Sequence, residues 1–243
     1  MNIISFDSLP STNKYCELLD LNRCEEFTVI TAKAQTAGIG QRGNVWESHP
    51  NENLTFSLIL KPTFLPISHQ FQLTKSISIG IANWLRSIVP NQYKIHIKWP
   101  NDIYVDNRKI CGTLISTKVN SSGISAAIAG IGLNVNQTHF SDWIPNPVSL
   151  KQLTDSTFNL DIALRELNTH IISQYQHLLD DIHTPDQDYL NQLLNLGERK
   201  QYIFHNQPIH ATIQDVNQFG HLVLKTDDGQ QITCQMKEIQ YVI

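Results

Sequence analysis

The order of segments predicts an α+β fold, a central β-sheet flanked by helices with a small β-barrel at the C-terminus, and three observations carry it. Within residues 1–136 several stretches alternate apolar and polar side chains in period two, the pattern of strands. Between 68 and 89, Phe71, Leu73, Ile77, Ile81, Leu85 and Ile88 form the stripe of a long helix lying on a sheet. After Gly197 the chain turns to short strand-like runs broken by turn residues, a unit too small to stand without a neighbour. The expected division is 1–196 for the main domain and 197–243 for the barrel.

In order, 3–6 reads as an edge strand, and the turn 8–13 offers caps for a helix through Tyr15, Leu18 and Leu19. Strands follow at 27–33 and 53–60, then the long helix. Residues 93–99 alternate: Tyr93, Ile95, Ile97 and Trp99 fall on one face, and Lys94, His96 and Lys98 on the other. Pro100 removes a ladder donor and ends that strand, Asn101 and Asp102 supply turn chemistry, and 103–105, 109–115 and 123–136 are further strands. An irregular loop spans 138–147. Helical patterns cover 149–153 and 161–182, and after a break at Pro185 a short helix runs to 196. The barrel strands are 201–204, 209–213, 221–224 and 231–234.

Composition narrows the function. The 243 residues are 41% hydrophobic and 16% charged, enough for a sizeable core. No apolar run nears the roughly 20 residues of a membrane helix, and the start lacks a signal-peptide pattern, so a cytoplasmic protein without membrane contact is expected. Cys16, Cys24, Cys111 and Cys234 lack the paired spacing of a zinc site or disulfide framework and read as reduced structural thiols. A formal net charge of -4 without a basic run argues against a nucleic-acid surface.

Four short motifs are candidate chemistry. Lys98-Trp99-Pro100-Asn101-Asp102 puts a cation at the end of a strand that cannot continue, with Lys109 near the same sheet end, a place suited to an anion. The plain alternative is an exposed strand lysine with Asp102 as a loose partner. Ser11-Thr12-Asn13 either caps a helix, worth about 1 kcal/mol, or offers hydroxyls to a small polar ligand. Gly38-Ile39-Gly40-Gln41-Arg42-Gly43 matches the dinucleotide pattern Gly-x-Gly-x-x-Gly. No helical stripe follows it, and no acidic residue stands about 20 positions on, so a mobile loop fits better. Gly130, Gly132 and Asn134 end a run of small residues that admits either a close ligand or tight strand packing.

These motifs in this order, with Arg108-Lys109-Ile110-Cys111-Gly112, resemble the biotin protein ligases over nearly the whole chain. The resemblance implies a class II synthetase-like catalytic domain with a mixed sheet and an SH3-like tail. With Ile3 opening the catalytic domain, it also implies a monofunctional form lacking the DNA-binding helix-turn-helix. It further implies ATP and Mg²⁺, biotin as substrate, and a biotin carboxyl carrier protein as partner, with a homodimer left open. Biotin would be activated as biotinyl-5'-AMP and passed to a carrier lysine. On this resemblance Lys98 is the catalytic cation and touches both ligands. Ser11, Thr12, Asn13, Gln35, Ile39, Gly40, Gln41 and Gly112 would hold biotin. Gly38, Arg42, Trp46, Asn101, Gly132, Asn134 and Trp143 would hold the nucleotide, and no metal ligand can be placed. Without the resemblance, Gln35 is a solvated strand end and Trp46 a core aromatic.

The family loop reads Gly-Arg-Gly-Arg-x-Gly, whereas Ile39 and Gln41 stand at its arginines. Three outcomes follow: contact shifted to Arg42, weaker retention of the intermediate, or an adenylate- or carrier-binding protein that has lost catalysis. The rival among enzymes is a lipoate or octanoate ligase on the same scaffold, and Ser11-Thr12-Asn13 favours biotin.

Overall fold

The structure, a computed structural model, describes residues 1–242; Ile243 and the side chain of Arg42 lie outside the described residues. The main sheet has seven strands: β1 (Ile3–Leu9), β2 (Val29–Gln35), β3 (Leu54–Leu60), β4 (Ile95–Lys98), β5 (Asp102–Val105), β6 (Arg108–Asn120) and β7 (Gly123–Leu133). Their order is β1-β2-β3-β7-β6-β5-β4. β1 and β2 run parallel, joined through α1 (Thr12–Glu17), and every other neighbour is antiparallel, so the sheet is mixed.

β3 is buried along its whole length because both of its faces are covered, and its two polar residues are satisfied there, Thr55 Oγ1 donating to Ala32 O at 2.9 Å and Ser57 Oγ to Thr12 Oγ1 at 2.9 Å. Leu54, Phe56, Leu58 and Leu60 enter the main core, while Ile59 joins Cys16, Leu21 and Ile30 in a smaller cluster beneath α1. On the main-core side lies α2 (Phe71–Ile88), crossed by α4 (Leu160–Asp180), with α3 (Leu150–Thr154) and α5 (Pro185–Asn191) beside them. The stripe Phe71, Leu73, Ile77, Ile81 and Leu85 is buried as the periodicity requires, but so are Ile79 and Trp84. Packing by α4 explains the difference: a Cβ on Gly80 would come within 2.7 Å of Ile171 Cα, so the missing side chain lets the two helices touch.

A second, wholly antiparallel sheet comprises β8 (Arg199–Phe204), β9 (Gln207–Val216), β10 (Leu222–Thr226), β11 (Gln231–Cys234) and β12 (Ile239–Tyr241), ordered β11-β10-β9-β8-β12 and fitting an SH3-like tail. β12 escapes sequence reading because three residues are too few to show alternation. The sheets meet at Trp99, whose indole N–H donates to Gly220 O at 2.9 Å.

Several boundaries move. β2 starts at Val29, since Phe27 takes φ 63°. α1 stops at Glu17 and leaves Leu18 86% exposed. α5 stops at Asn191 because the following residues pair with β4 instead, Ile97 N–H donating to Gln192 O at 2.8 Å and Leu194 N–H to Ile97 O at 2.9 Å. All four cysteines are free thiols; burial pushes Cys16 up to about 12 and Cys234 up to about 11, which keeps both protonated at neutral pH. Among the described residues no helix is long and apolar enough to cross a membrane.

Candidate active site

The start of α1 builds one end of the site. Ser11 caps the helix, its Oγ accepting from Lys14 N–H at 3.5 Å. Thr12 donates to Gln35 Oε1 from its backbone N–H at 2.7 Å and from its hydroxyl at 3.3 Å. Ser57 Oγ lies 2.9 Å from Thr12 Oγ1 and 2.5 Å from Asn13 Oδ1, and Asn13 Nδ2 donates to Leu114 O at 3.1 Å. Capping and ligand binding are therefore compatible: the same turn is locked from behind while Ser11, Thr12, Asn13 and Gln35 line a cavity of about 150 Å³. Donors and acceptors side by side in a buried pocket suit a small polar ring.

The glycine loop closes as a hairpin. Ile39 bridges Val45 antiparallel, Gly40 N–H donates to Asn44 O at 2.7 Å, and Trp46 N–H donates to Gly38 O at 3.0 Å. A 3-10 turn at Gln41–Gly43 forms its tip, and no helix follows, so the dinucleotide reading is excluded. Ile39, Gly40 and Gln41 line the first cavity. The hairpin returns Trp46 over the cross-strand pair Gly112 and Gly132. A Cβ on Gly132 would overlap the indole, and one on Gly112 would come within 3.0 Å of it. Two bare backbones thus form the shelf on which the ring rests.

Beyond Trp46 a second cavity of about 600 Å³ is walled by Tyr104, Phe140, Trp143, Ile144 and Pro145, with Lys98 and Asn134 as polar groups. Asn134 Nδ2 donates to Val148 O at 3.1 Å. Glu47 ties the loop 138–147 to the glycine hairpin, its Oε1 accepting from Ser141 N–H at 3.2 Å.

Trp46, Asp102 and Lys109 border both cavities, together with Asn44 and Val45. Lys109 Nζ pairs with Asp102 Oδ2 at 2.7 Å and lies 5.7 Å from the Trp46 ring. Asp102 is thus the partner of Lys109 and not of Lys98. Lys98 Nζ donates to Tyr104 Oη at 3.2 Å. Burial, with Lys109 adding and Asp102 opposing, holds the Lys98 ammonium below the usual lysine value.

Most expected residues converge, and five need restating. Lys98 lines the second cavity alone, so it does not border the pocket expected for biotin. Gly132, expected beside the nucleotide, lines the first cavity, because its strand neighbour is Gly112. Asn101 lines neither: it is 3% exposed, its Nδ2 donates to Thr113 O at 2.6 Å, and its job is to fasten the turn to β6. Gly38 also lines neither and instead packs under the Trp46 carbonyl. The Arg42 side chain is outside the described residues. The sequence reading set Lys109 near the sheet end of Lys98 without assigning it a ligand; Phe140 belongs to the irregular loop expected at 138–147, and the supporting Ser57 and the wall Tyr104 gave no local signal.

The sequence model of the biotin/lipoate A/B protein ligase family matches residues 5–136. The chain is 27% identical over 232 residues to the bifunctional ligase/repressor BirA of Bacillus subtilis, covering 94% of this chain and 70% of that one. It is 24% identical over 209 residues to the biotin–[acetyl-CoA-carboxylase] ligase of Paracoccus denitrificans, covering 84% and 86%. Biotin protein ligase from Aquifex aeolicus in complex with biotin and ATP has the same fold, with a TM-score of 0.81 at 22% identity, covering 98% of this chain and 97% of that one.

Proposed function

Because this chain belongs to the biotin/lipoate A/B protein ligase family, we propose that it is an ATP-dependent biotin protein ligase that makes biotinyl-5'-AMP and transfers biotin to a lysine of a carboxylase carrier domain. The observation that carries the reading is the shared border: one lysine–aspartate pair separates a small polar pocket from a larger aromatic one. Biotin's ureido ring takes the end at Ser11, Thr12, Asn13 and Gln35, and adenine takes the wall at Trp143 and Asn134. A carboxylate from one side and an α-phosphate from the other then meet at Lys109.

Both reactants are anions, and at 4 Å with an effective dielectric near 20 they repel by about 4 kcal/mol. Lys109 offsets that repulsion where the cavities join, and Lys98 adds a second positive charge on the phosphate side. The carboxylate oxygen attacks the α-phosphorus and pyrophosphate leaves; the carrier amine then attacks the acyl carbon and AMP leaves. Asp102 holds Lys109 in line. Mg²⁺ would neutralise the phosphates, but among the described residues no cluster of three or more His, Cys, Asp or Glu is placed to cage it, so it would be carried by the nucleotide. A lipoyl chain has no ureido group to satisfy the polar pocket, which disfavours the lipoate reading. The proposal extends to a cytoplasmic setting and to no nucleic-acid partner, in keeping with the net charge of -4; sedimentation of the full chain decides between monomer and homodimer.

Incubation with ATP, biotin and an acceptor domain is expected to add the mass of one biotin to the acceptor; no added mass would overturn the proposal. Lys109→Gln is expected to lower pyrophosphate release about 100-fold or more while the melting temperature stays near wild type. Wild-type release by that variant would remove Lys109 from the reaction.

A further inference from the structure

Lys98 reaches the second cavity between two aromatic rings from different parts of the fold. Its Nζ lies 4.9 Å from the centre of the Tyr104 ring and 5.3 Å from that of Tyr241, on β12 of the C-terminal sheet. No carboxylate among the described residues stands within ion-pair distance of it, since Asp102 is engaged by Lys109. Tyr241 is itself held in place: it pairs with Tyr202 across β8 and β12, and their rings meet edge-on at 5.3 Å. Its hydroxyl is buried without a hydrogen-bond partner. What it offers Lys98 is therefore its ring face.

We propose that Tyr241 is a positioning residue for the nucleotide step, its ring keeping the Lys98 ammonium charged and directed into the second cavity, so that the C-terminal sheet completes a site built otherwise on the main domain. The charged and titratable groups facing that ammonium are Asp102, Lys109, Tyr104 and Tyr241. Burial and Lys109 disfavour the charged form, and Asp102 favours it. A ring face within about 6 Å opposes deprotonation, and a contact of this kind is worth about 2- to 30-fold in an equilibrium.

The inference rests on the second cavity being the nucleotide site. Pyrophosphate release by the full chain, with ATP and biotin varied in turn, tests both. Tyr241→Leu is expected to raise the KM for ATP about 2- to 30-fold, leave the KM for biotin unchanged, and move the alkaline limb of kcat/KM for ATP to lower pH. Tyr241→Phe, which keeps the ring, is expected to restore all three. An unmoved KM and limb in Tyr241→Leu, an equal rise in both KM values, or failure of Tyr241→Phe to restore them would overturn the proposal. Should Tyr241→Leu not fold, progressively fluorinated phenylalanines at position 241 weaken the ring face at nearly constant shape. The KM for ATP should rise along that series, and a flat series overturns the proposal. If the wild type releases no pyrophosphate, the functional reading fails and takes this inference with it; if it does and Tyr241→Leu matches it, only the inference fails.

Discussion

Gln41 sits at the tip of the glycine hairpin on the wall of the first cavity, the one proposed to take biotin, where the ligases that this chain resembles carry an arginine. A neutral amide in place of a guanidinium exchanges a charge-assisted hydrogen bond for an ordinary one, a difference of about 1–2 kcal/mol. On the proposed function the cost falls on holding an anionic intermediate, because Lys98 and Lys109 would still supply charge where the bond forms. Gln41→Arg is therefore expected to slow release of biotinyl-5'-AMP about 5- to 30-fold with little change in its formation. Rapid filtration of radiolabelled adenylate checks this, and equal release rates would show that position 41 does not touch the intermediate.

Among the elements, α2 and α5 are joined by one carboxylate. Asp186 accepts from Lys75 Nζ at 2.6 Å and Gln72 Nε2 at 2.8 Å, and it also meets His183 Nδ1 at 3.0 Å. Burial raises the Asp186 carboxyl, but these hydrogen bonds outweigh it and hold it below its ordinary value. A carboxylate depressed on folding stabilises the protein above its unfolded pKa, and that contribution is lost as pH falls through the folded value. The Lys75 side chain is only 4% exposed, so Asp186→Asn leaves a buried ammonium poorly satisfied. The variant is expected to lose about 1–3 kcal/mol in urea melts at neutral pH, the partial exposure of Asp186 keeping the loss below that of a fully buried pair. The loss should shrink below the carboxylate range, and a loss independent of pH would assign it to packing alone.

At the scale of the whole molecule, the two sheets share the Trp99–Gly220 hydrogen bond, and Phe71 packs against Gly220. Calorimetry is expected to show one unfolding transition; two would mean that the C-terminal sheet melts independently. Strands, the long helix and the hydroxyl turn were legible because each is a local pattern of a few residues. The role of Lys109 was not, since it depends on the register shift between Ile103 and Tyr104, which sets Tyr104 opposite Lys109 where β5 meets β6. The partner of Lys98 was equally hidden, lying on a three-residue strand near the other end of the chain. Trp46, resting on two glycines with its indole N–H buried and unpartnered, has one more consequence. Of the chain's 4 tryptophans it alone borders both cavities, and Trp143 walls the second, so any molecule spanning them changes the surroundings of Trp46 along its length and of Trp143 at one end. The protein thus contains its own optical gauge: adenylate formation should shift the emission spectrum, and Trp46→Phe should remove the part of the shift that Trp143→Phe leaves.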